Sequence, residues 1–292
     1  MTRFGRRVLG LSLALFVSGG CFGSTGTKRL SFAASAGGVP RTGTGPMTFT
    51  NERGFEISLS RADVTVGPIY LNVIAPRSSG ETAVRRRFGN LLGGLEGTAH
   101  AAGEDHLGSG RVVGQVLSQV TFDALSEARV PFPTEGVVTN EPVRTVDLWF
   151  FPPPGEDPQT VRISRAALSV EGRATRGGKT TAFRGALVLD DAWLPDAPAG
   201  SRQARTIAEI REVRGIATAF VPDEGGSLEI RLDVAALFRG ADFDALEANP
   251  VDKDGAKKLV QSKTTGTDQV LTNLFQGLKS NVGTWQVRWL AP

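Results

Sequence analysis

Residues 167–189 read ALSVEGRATRGGKTTAFRGALVL, with alternating apolar and polar residues on either side of Gly177-Gly178. Alternation with a period of two is typical of β-strands that bury one face. Two adjacent glycines accept the positive φ angles that a two-residue hairpin turn requires. This segment therefore predicts a β-hairpin, with strands over 160–171 and 180–189.

Similar alternation continues through most of the chain after Met47. Further strands are predicted over 55–59, 64–66, 69–74, 143–151, 207–213, 216–221, 227–234 and 284–290, with a tight turn at 222–226. Many short strands joined by Gly- and Pro-containing turns are typical of a β-sandwich. The predicted fold class is mainly β, an antiparallel β-sandwich with one C-terminal helix and a few short helical segments.

Helical periodicity is clearest near the C-terminus. There the apolar residues of one helical face are Val270, Leu271, Leu274, Phe275 and Leu278. Thr267 or Asp268 is the expected N-cap. Residues 112–120 fit both a helix and a strand, and we predict a short helix there. Trp285 and Trp289 share one face of the predicted last strand, where we expect them to pack in the core.

The first 21 residues have the three regions of a bacterial export signal. Arg3, Arg6 and Arg7 form a basic start, 8–17 are apolar, and the small residues 18–20 precede Cys21. Ten apolar residues are too few for a membrane-spanning helix, which needs about 20. The pattern therefore predicts a cleaved signal peptide over residues 1–20.

The segment Val17-Ser18-Gly19-Gly20-Cys21 resembles the lipobox of bacterial exported lipoproteins. It departs from that family at Ser18, where the family usually has Leu. The resemblance implies that Cys21 is acylated, palmitate being a suitable label, and that membrane lipid is a partner of the protein. Phe22 replaces the Asp that retains such lipoproteins at the inner membrane, so the implied location is the cell envelope, at the outer membrane. The alternative is an ordinary secretory signal cleaved nearby.

Composition indicates how the mature chain is organised. Residues 22–46 are rich in Gly, Ser, Thr and Ala, so 21–46 is predicted to be a lipidated flexible tether and 47–292 the β-sandwich domain. Removing Arg3, Arg6 and Arg7 from the 33 basic residues leaves 30, against 30 acidic residues. A balanced charge gives no positive field for phosphate, so we expect no nucleic-acid partner.

Both histidines of the chain lie in one Gly-containing segment, 98–110. His100 and His106 are candidate ligands for copper or zinc, and Glu104 and Asp105 supply oxygen donors nearby. The spacing does not match a zinc finger, and no cysteine contributes. Two interpretations remain open: a solvated polar loop, or a metal site built from these four residues.

Recognisable catalytic motifs are missing from the sequence. It contains neither a phosphate-binding loop nor a G-x-S-x-G motif. The 30 acidic residues leave a carboxylate-based hydrolase open. Asp252 and Asp254 match half of a calcium loop, but the other ligands are missing, and we predict a turn there.

Two stretches outside the lipobox also resemble known proteins. Residues 49–71 and 228–243 are similar to uncharacterised β-sandwich lipoproteins and, distantly, to periplasmic copper-binding proteins of methanobactin systems. That similarity transfers no copper ligand. The sequence as a whole leads us to expect a membrane-tethered, non-enzymatic binding or structural domain of the envelope, with an envelope hydrolase as the alternative. A protein partner is not indicated.

Overall fold

A computed structural model describes residues 28–41, 47–73, 111–151, 165–193, 207–262 and 266–292. The described strands are β1 (Arg29–Gly38), β2 (Met47–Thr50), β3 (Glu56–Val66), β4 (Ile69–Asn72), β5 (Val112–Val116), β6 (Val120–Asp123), β7 (Val130–Pro131), β8 (Gly136–Thr139), β9 (Val143–Trp149), β10 (Ala166–Arg176), β11 (Lys179–Val188), β12 (Glu212–Phe220), β13 (Ser227–Leu232), β14 (Lys257–Lys258) and β15 (Trp285–Leu290). The described helices are α1 (Ile207–Arg211), α2 (Val234–Leu237) and α3 (Gln269–Leu278), with 3-10 turns at Asp191–Trp193 and Phe243–Leu246.

The strands form two sheets. One has the order β12-β9-β4-β5-β8-β1-β13-β15, with β7 paired beside β1. The other has the order β14-β11-β10-β3-β2, with β6 paired to β3. Neighbours are antiparallel except for β1 with β13 and β11 with β14. The prediction of a mainly β fold with two sheets and a C-terminal helix is confirmed.

The nine-stranded sheet curls until its two end strands meet. The Thr218 hydroxyl on β12 donates to the Val287 carbonyl on β15 over 3.0 Å. The Trp289 ring lies 5.3 Å from Phe32 and is stacked 5.5 Å from Phe220, measured between ring centroids. One face of the curled sheet is therefore filled by side chains from strands that are far apart in sequence.

The predicted hairpin is present as β10 and β11. Gly177 and Gly178 have φ angles of 56° and 82°, as their position in the tight turn requires. Thr175 and Thr180 face each other across the hairpin, with their hydroxyl oxygens 2.9 Å apart. The hairpin forms the middle of the second sheet, because β3 pairs along β10.

Helix α3 has the predicted apolar face. Its five apolar residues are all buried, and the Asp268 carboxylate accepts a hydrogen bond from the Leu271 amide over 2.7 Å. Asp268 is therefore the N-cap, which resolves the choice between Thr267 and Asp268. Trp285 is buried, and its indole donates to the Leu278 carbonyl at the end of the helix over 2.9 Å. Its predicted core role is confirmed.

The predicted tether over 21–46 is wrong for part of its length. Arg29–Gly38 is strand β1, which lies inside the nine-stranded sheet between β8 and β13. Leu30, Phe32, Ala34 and Ala36 are buried, so the segment has a strand period of two. Its many small residues concealed that period. The described domain therefore begins before Met47.

The predicted helix over 112–120 is also wrong. Val112–Val116 is strand β5, and Val120 begins strand β6. The β-branched residues fit a strand better, and Gly114 lies where a Cβ atom would come within 2.6 Å of Val138 on the neighbouring strand. The strand predicted over 207–213 is wrong for most of its length, because Ile207–Arg211 forms the short helix α1.

Candidate functional site

The predicted site residues lie outside the described part of the chain. These are Cys21, His100, Glu104, Asp105 and His106. Among the described residues, no group of three or more His, Cys, Asp or Glu is arranged to hold a metal ion. Acylation and metal binding therefore stay predictions.

A stripe of buried polar side chains lies on one face of β4, β9 and β12. Thr145, Asp147 and Trp149 alternate along β9 and therefore share that face. Asn72 is paired with Thr145 across to β4, and Glu212 with Trp149 across to β12. All five residues are buried. Buried polar groups normally have hydrogen-bond partners, so each one needs an account of its bonding.

Asp147 uses both carboxylate oxygens inside the sheet. Its Oδ1 accepts from the Gly215 amide over 2.8 Å, and its Oδ2 accepts from the Asn72 side-chain amide over 3.0 Å. Gly215 has a φ of 70° and lies where the pairing of β12 with β9 shifts register. Asp147 therefore stabilises a bulge in β12, which is a structural role.

Four other buried atoms of the stripe find no hydrogen-bond partner among the described residues. They are Asn72 Oδ1, Thr145 Oγ1, Trp149 Nε1 and Glu212 Oε1. They form two cross-strand pairs, each of which offers at least one donor and one acceptor. An unpaired buried polar group costs about 1–3 kcal/mol, so such positions favour bridging water or a polar ligand.

Glu212 is a member of the stripe whose pKa departs clearly from its usual value. Burial raises the pKa of its carboxyl group to about 7, although Arg214 opposes the shift. Arg214 forms an ion pair with Glu212 Oε2, which leaves Oε1 as the unpartnered oxygen noted above. A carboxyl group with this pKa changes charge near neutral pH and can donate or accept a hydrogen bond there.

Glu212 lines a groove of about 600 Å³ between β12 and the C-terminal end of α3. The Lys279 ammonium donates to the Glu209 carbonyl over 2.6 Å, and the Asn281 amide donates to the Arg214 carbonyl over 3.0 Å. These bonds fix one wall of the groove against the other. Of the polar clusters in the described residues, this groove has the strongest chemical case for a site.

A second buried glutamate, Glu229 on β13, is held by arginines. Arg231 and Arg129 donate to its Oε1 over 2.7 and 2.6 Å, and Arg288 forms an ion pair with its Oε2. Burial would raise the pKa of Glu229, but the hydrogen bonds from Arg288, Arg231 and Arg129 outweigh it and hold the pKa at about 2. These ion pairs link neighbouring strands, and their arrangement indicates a structural role and not a catalytic one.

The predicted turn at 252–255 is confirmed. The Asp252 carboxylate accepts from the backbone amides of Asp254 and Ala256, each over 2.9 Å. Arg184 donates to Asp252 and Asp254 over 3.0 and 3.1 Å and also to Glu171. A guanidinium group therefore lies where the calcium alternative would need a cation.

The sequence contains one indication of these buried acidic groups that the analysis of apolar and polar alternation did not include. Asp147 lies between apolar residues in strand β9, and Glu229 lies between Leu228 and Ile230 in strand β13. An acidic residue inside a predicted strand indicates either that its side chain faces solvent or that it is buried and bonded to a partner. Only the neighbouring strands distinguish these cases, and those come from distant parts of the chain.

No protein-family model matches this chain, and searches of curated proteins and of solved structures find no significant similarity. None of the helices in the described residues is both long enough and apolar enough to cross a membrane.

Proposed function

We propose that this protein is an exported bacterial lipoprotein, acylated on Cys21, whose β domain serves as a non-enzymatic binding or structural module of the cell envelope. The leader pattern and the lone cysteine of the sequence support acylation. Two acyl chains on one residue give stable membrane attachment, whereas a single chain binds only marginally.

The observation that carries this proposal is the position of Cys21 relative to the folded domain. Cys21 ends a basic, apolar and small-residue leader, and the first described strand begins at Arg29. Cleavage before Cys21 would therefore leave every described strand and helix intact. The acylated residue would then stand directly before the domain.

Labelling with radioactive palmitate tests the proposal. The full chain expressed in a Gram-negative bacterium is expected to incorporate label, and the Cys21→Ser variant is not. Mass spectrometry is expected to find a mature chain without residues 1–20. An unlabelled wild-type protein, or one that retains its leader in cells, would refute the lipoprotein assignment.

The outer-membrane location is part of the same proposal and rests on Phe22. Separation of inner and outer membranes on a density gradient is expected to recover the protein with the outer membrane. A Phe22→Asp variant is expected to shift towards the inner membrane. Recovery of both proteins in the inner membrane would contradict the location while leaving acylation intact.

A metal-binding role for His100 and His106 is a further part of the proposal. Val73 and Arg111 are the described residues on either side of the segment that contains both histidines. The Val73 amide donates to the Arg111 carbonyl over 3.3 Å, so the segment leaves and rejoins the nine-stranded sheet at the same end. Copper and zinc titrations of the purified protein test the role. A His100→Ala/His106→Ala double variant is expected to lose the metal, and equal binding by both proteins would end the idea.

A carboxylate-based envelope hydrolase is the second candidate, and Glu212 is the observation that favours it. A buried carboxyl with a pKa near 7 has the property that a general acid requires at neutral pH. Glu209 lines the same groove and would supply a second carboxylate.

Chromogenic glycosides and esters test the hydrolase candidate. If the protein has such an activity, Glu212→Gln is expected to lower kcat by about 10²-fold or more, since general acid–base catalysis contributes that much. Turnover that is unchanged in this variant would exclude Glu212 as the acid. Failure of the wild-type protein to act on any of these substrates would leave the binding role as the better account.

A further inference from the structure

A groove of about 880 Å³ lies over strand β3 and the β10–β11 hairpin of the second sheet, separate from the groove between β12 and α3. Arg173 stands on its floor between two small side chains, because the strand register places Ser58 on one side and Ala182 on the other. Met47 and Leu125, both partly buried, supply apolar contacts at the rim. Small-ligand sites typically have volumes of about 300–1,000 Å³. We call this cavity the Arg173 groove.

Arg173 carries a positive charge that no described residue neutralises. The other two arginines on this face of β3, β10 and β11 both have carboxylate partners. Arg184 forms an ion pair with Glu171 over 2.8 Å, and Arg61 forms one with Asp63 over 2.6 Å. Arg173 is exposed and has neither a hydrogen bond nor an ion pair within the described part of the chain. Its guanidinium group can therefore bind a carboxylate through two parallel hydrogen bonds.

Asp123, at the other end of the groove, carries a negative charge without a cationic partner. It is the last residue of β6 and lies directly opposite Asp63 on β3. Like charges that face each other across two strands are destabilising. Arg61 neutralises Asp63, whereas Asp123 accepts only the Leu125 amide, over 2.8 Å, among the residues that the structure describes. A cationic group bound at Asp123 would remove this imbalance.

The remaining charges of the groove favour a ligand that carries both signs. Arg184, Glu171 and Asp254 are joined by ion pairs, and Arg41 adds a cation at the rim. The described lining thus contains three arginines and three carboxylates. This balance gives no net field that would attract a simple anion or a simple cation. Its two ends, however, present opposite charges that lack partners.

The separation of these two charges matches the length of a short peptide. Arg173 pairs with Ser58 of β3, and Asp123 pairs with Asp63 on the other side of the same strand, five residues further along. At about 3.3 Å per residue and about 4.8 Å between strands, the Cα atoms of Arg173 and Asp123 lie about 19 Å apart. An extended peptide of about five or six residues spans this distance.

We propose that the Arg173 groove binds a short extended peptide with free termini, the terminal carboxylate at Arg173 and the terminal ammonium at Asp123. The Ser58 hydroxyl, which lies beside Arg173, supplies a further donor to the carboxylate. The inference names a ligand class for the binding role proposed above and rests on that role, but it does not require acylation of Cys21.

Isothermal titration calorimetry of the full chain tests the proposal with three pentapeptides of alanine and serine. One peptide has both termini free, one is amidated at its C-terminus and one is acetylated at its N-terminus. The wild-type protein is expected to bind the free peptide and to bind each blocked peptide at least about tenfold more weakly. A lost hydrogen bond between charged groups has an effect of this size.

Substitutions assign each terminus to its residue. Arg173→Gln should bind the free and the amidated peptide equally, and Asp123→Asn should bind the free and the acetylated peptide equally. Arg144→Gln is the matched control and should behave as wild type, because Arg144 is exposed on β9 and does not line the groove. Ala182→Trp keeps both charges but fills the floor beside Arg173, so it should abolish binding of all three peptides.

Equal affinity of the wild-type protein for the three peptides, or binding of none of them, would overturn the peptide site. A loss on amidation alone would identify a simple oxyanion site and would also reject the peptide. Thermal unfolding checks that each variant is folded, and Ala182→Trp serves as the test if Arg173→Gln is not. None of these results affects palmitate labelling of Cys21, so failure of the groove is distinguished from failure of the lipoprotein assignment.

Discussion

Two buried glutamates of the same sheet show how the surrounding charges set a pKa. Glu229 is contacted by three arginines, whereas Glu212 has an ion pair with Arg214 alone and has the Asp147 carboxylate nearby. Burial acts on both in the same direction. The arginines reverse its effect at Glu229, where the pKa falls to about 2, while at Glu212 burial prevails and the pKa rises to about 7.

Replacing Glu229 by Gln should destabilise the protein strongly. The change leaves the 5% exposed Arg231 side chain without its carboxylate, and breaking a buried ion pair costs about 3–5 kcal/mol. Urea unfolding at pH 7 measures the loss. Glu247→Gln is the control, because Glu247 is 78% exposed in its pair with Lys179 and should have little effect. Equal stability of the two variants would contradict a stabilising role for the ion pairs of Glu229.

The lowered pKa of Glu229 also fixes the sign of its pH dependence. Its stabilising contribution is fully present above the unfolded pKa of about 4.3 and is lost as pH falls towards the folded pKa of about 2. The free energy of unfolding of the wild-type protein should therefore fall over this range. The Glu229→Gln variant should lack that part of the slope, and parallel curves would argue against it.

Glu212 should behave in the opposite way. Between the unfolded pKa of about 4.3 and the folded pKa of about 7, the folded state holds a proton that the unfolded state has lost, so stability falls as pH rises. Relative to wild type, Glu212→Gln should gain about 2 kcal/mol of stability between pH 5 and pH 8. Urea unfolding at both pH values measures this gain.

At the scale of strands and helices, the sequence predicted the elements whose formation depends on neighbouring residues. The hairpin followed from Gly177-Gly178 and alternation, and α3 followed from its apolar face. Strand β1 was missed because its buried positions include Ala34 and Ala36, which read as linker residues. The Glu212 groove was missed for another reason. It joins β12 to the end of α3, and no local pattern indicates that contact.

The N-cap of α3 offers a prediction at this scale. Asp268 accepts hydrogen bonds from the amides of Leu271 and Val260 and from the Asn249 side chain, so it fixes the helix start to a neighbouring loop. Asp268→Ala should cost about 1–2 kcal/mol. Thr267→Ala should cost much less, because the Thr267 hydroxyl accepts only a 3.4 Å bond from Ser262. Thermal unfolding of both variants tests the difference, and a larger effect at Thr267 would contradict the assignment of the cap.

For the whole molecule, the decisive connections join distant parts of the chain. Ala33 on β1 pairs with Ser227 on β13 in parallel, and Phe32 packs against Trp289 near the C-terminus. Such pairings cost loop-closure entropy before any contact repays it, and they leave little trace in local sequence. The region that composition assigned to a tether is therefore the region that links the two ends of the chain.

This arrangement predicts which truncation folds. A chain of residues 47–292, which begins at the domain boundary that composition suggests, lacks β1 and leaves β8 and β13 without their shared neighbour. Losing a buried Phe such as Phe32 alone costs about 3–5 kcal/mol, a large part of the 5–15 kcal/mol that stabilises a typical domain. Residues 47–292 should show no cooperative unfolding transition by circular dichroism, whereas 22–292 should show one. If both chains unfold cooperatively at the same temperature, β1 is dispensable, and the pairings of β1 with β8 and β13 do not hold the nine-stranded sheet together.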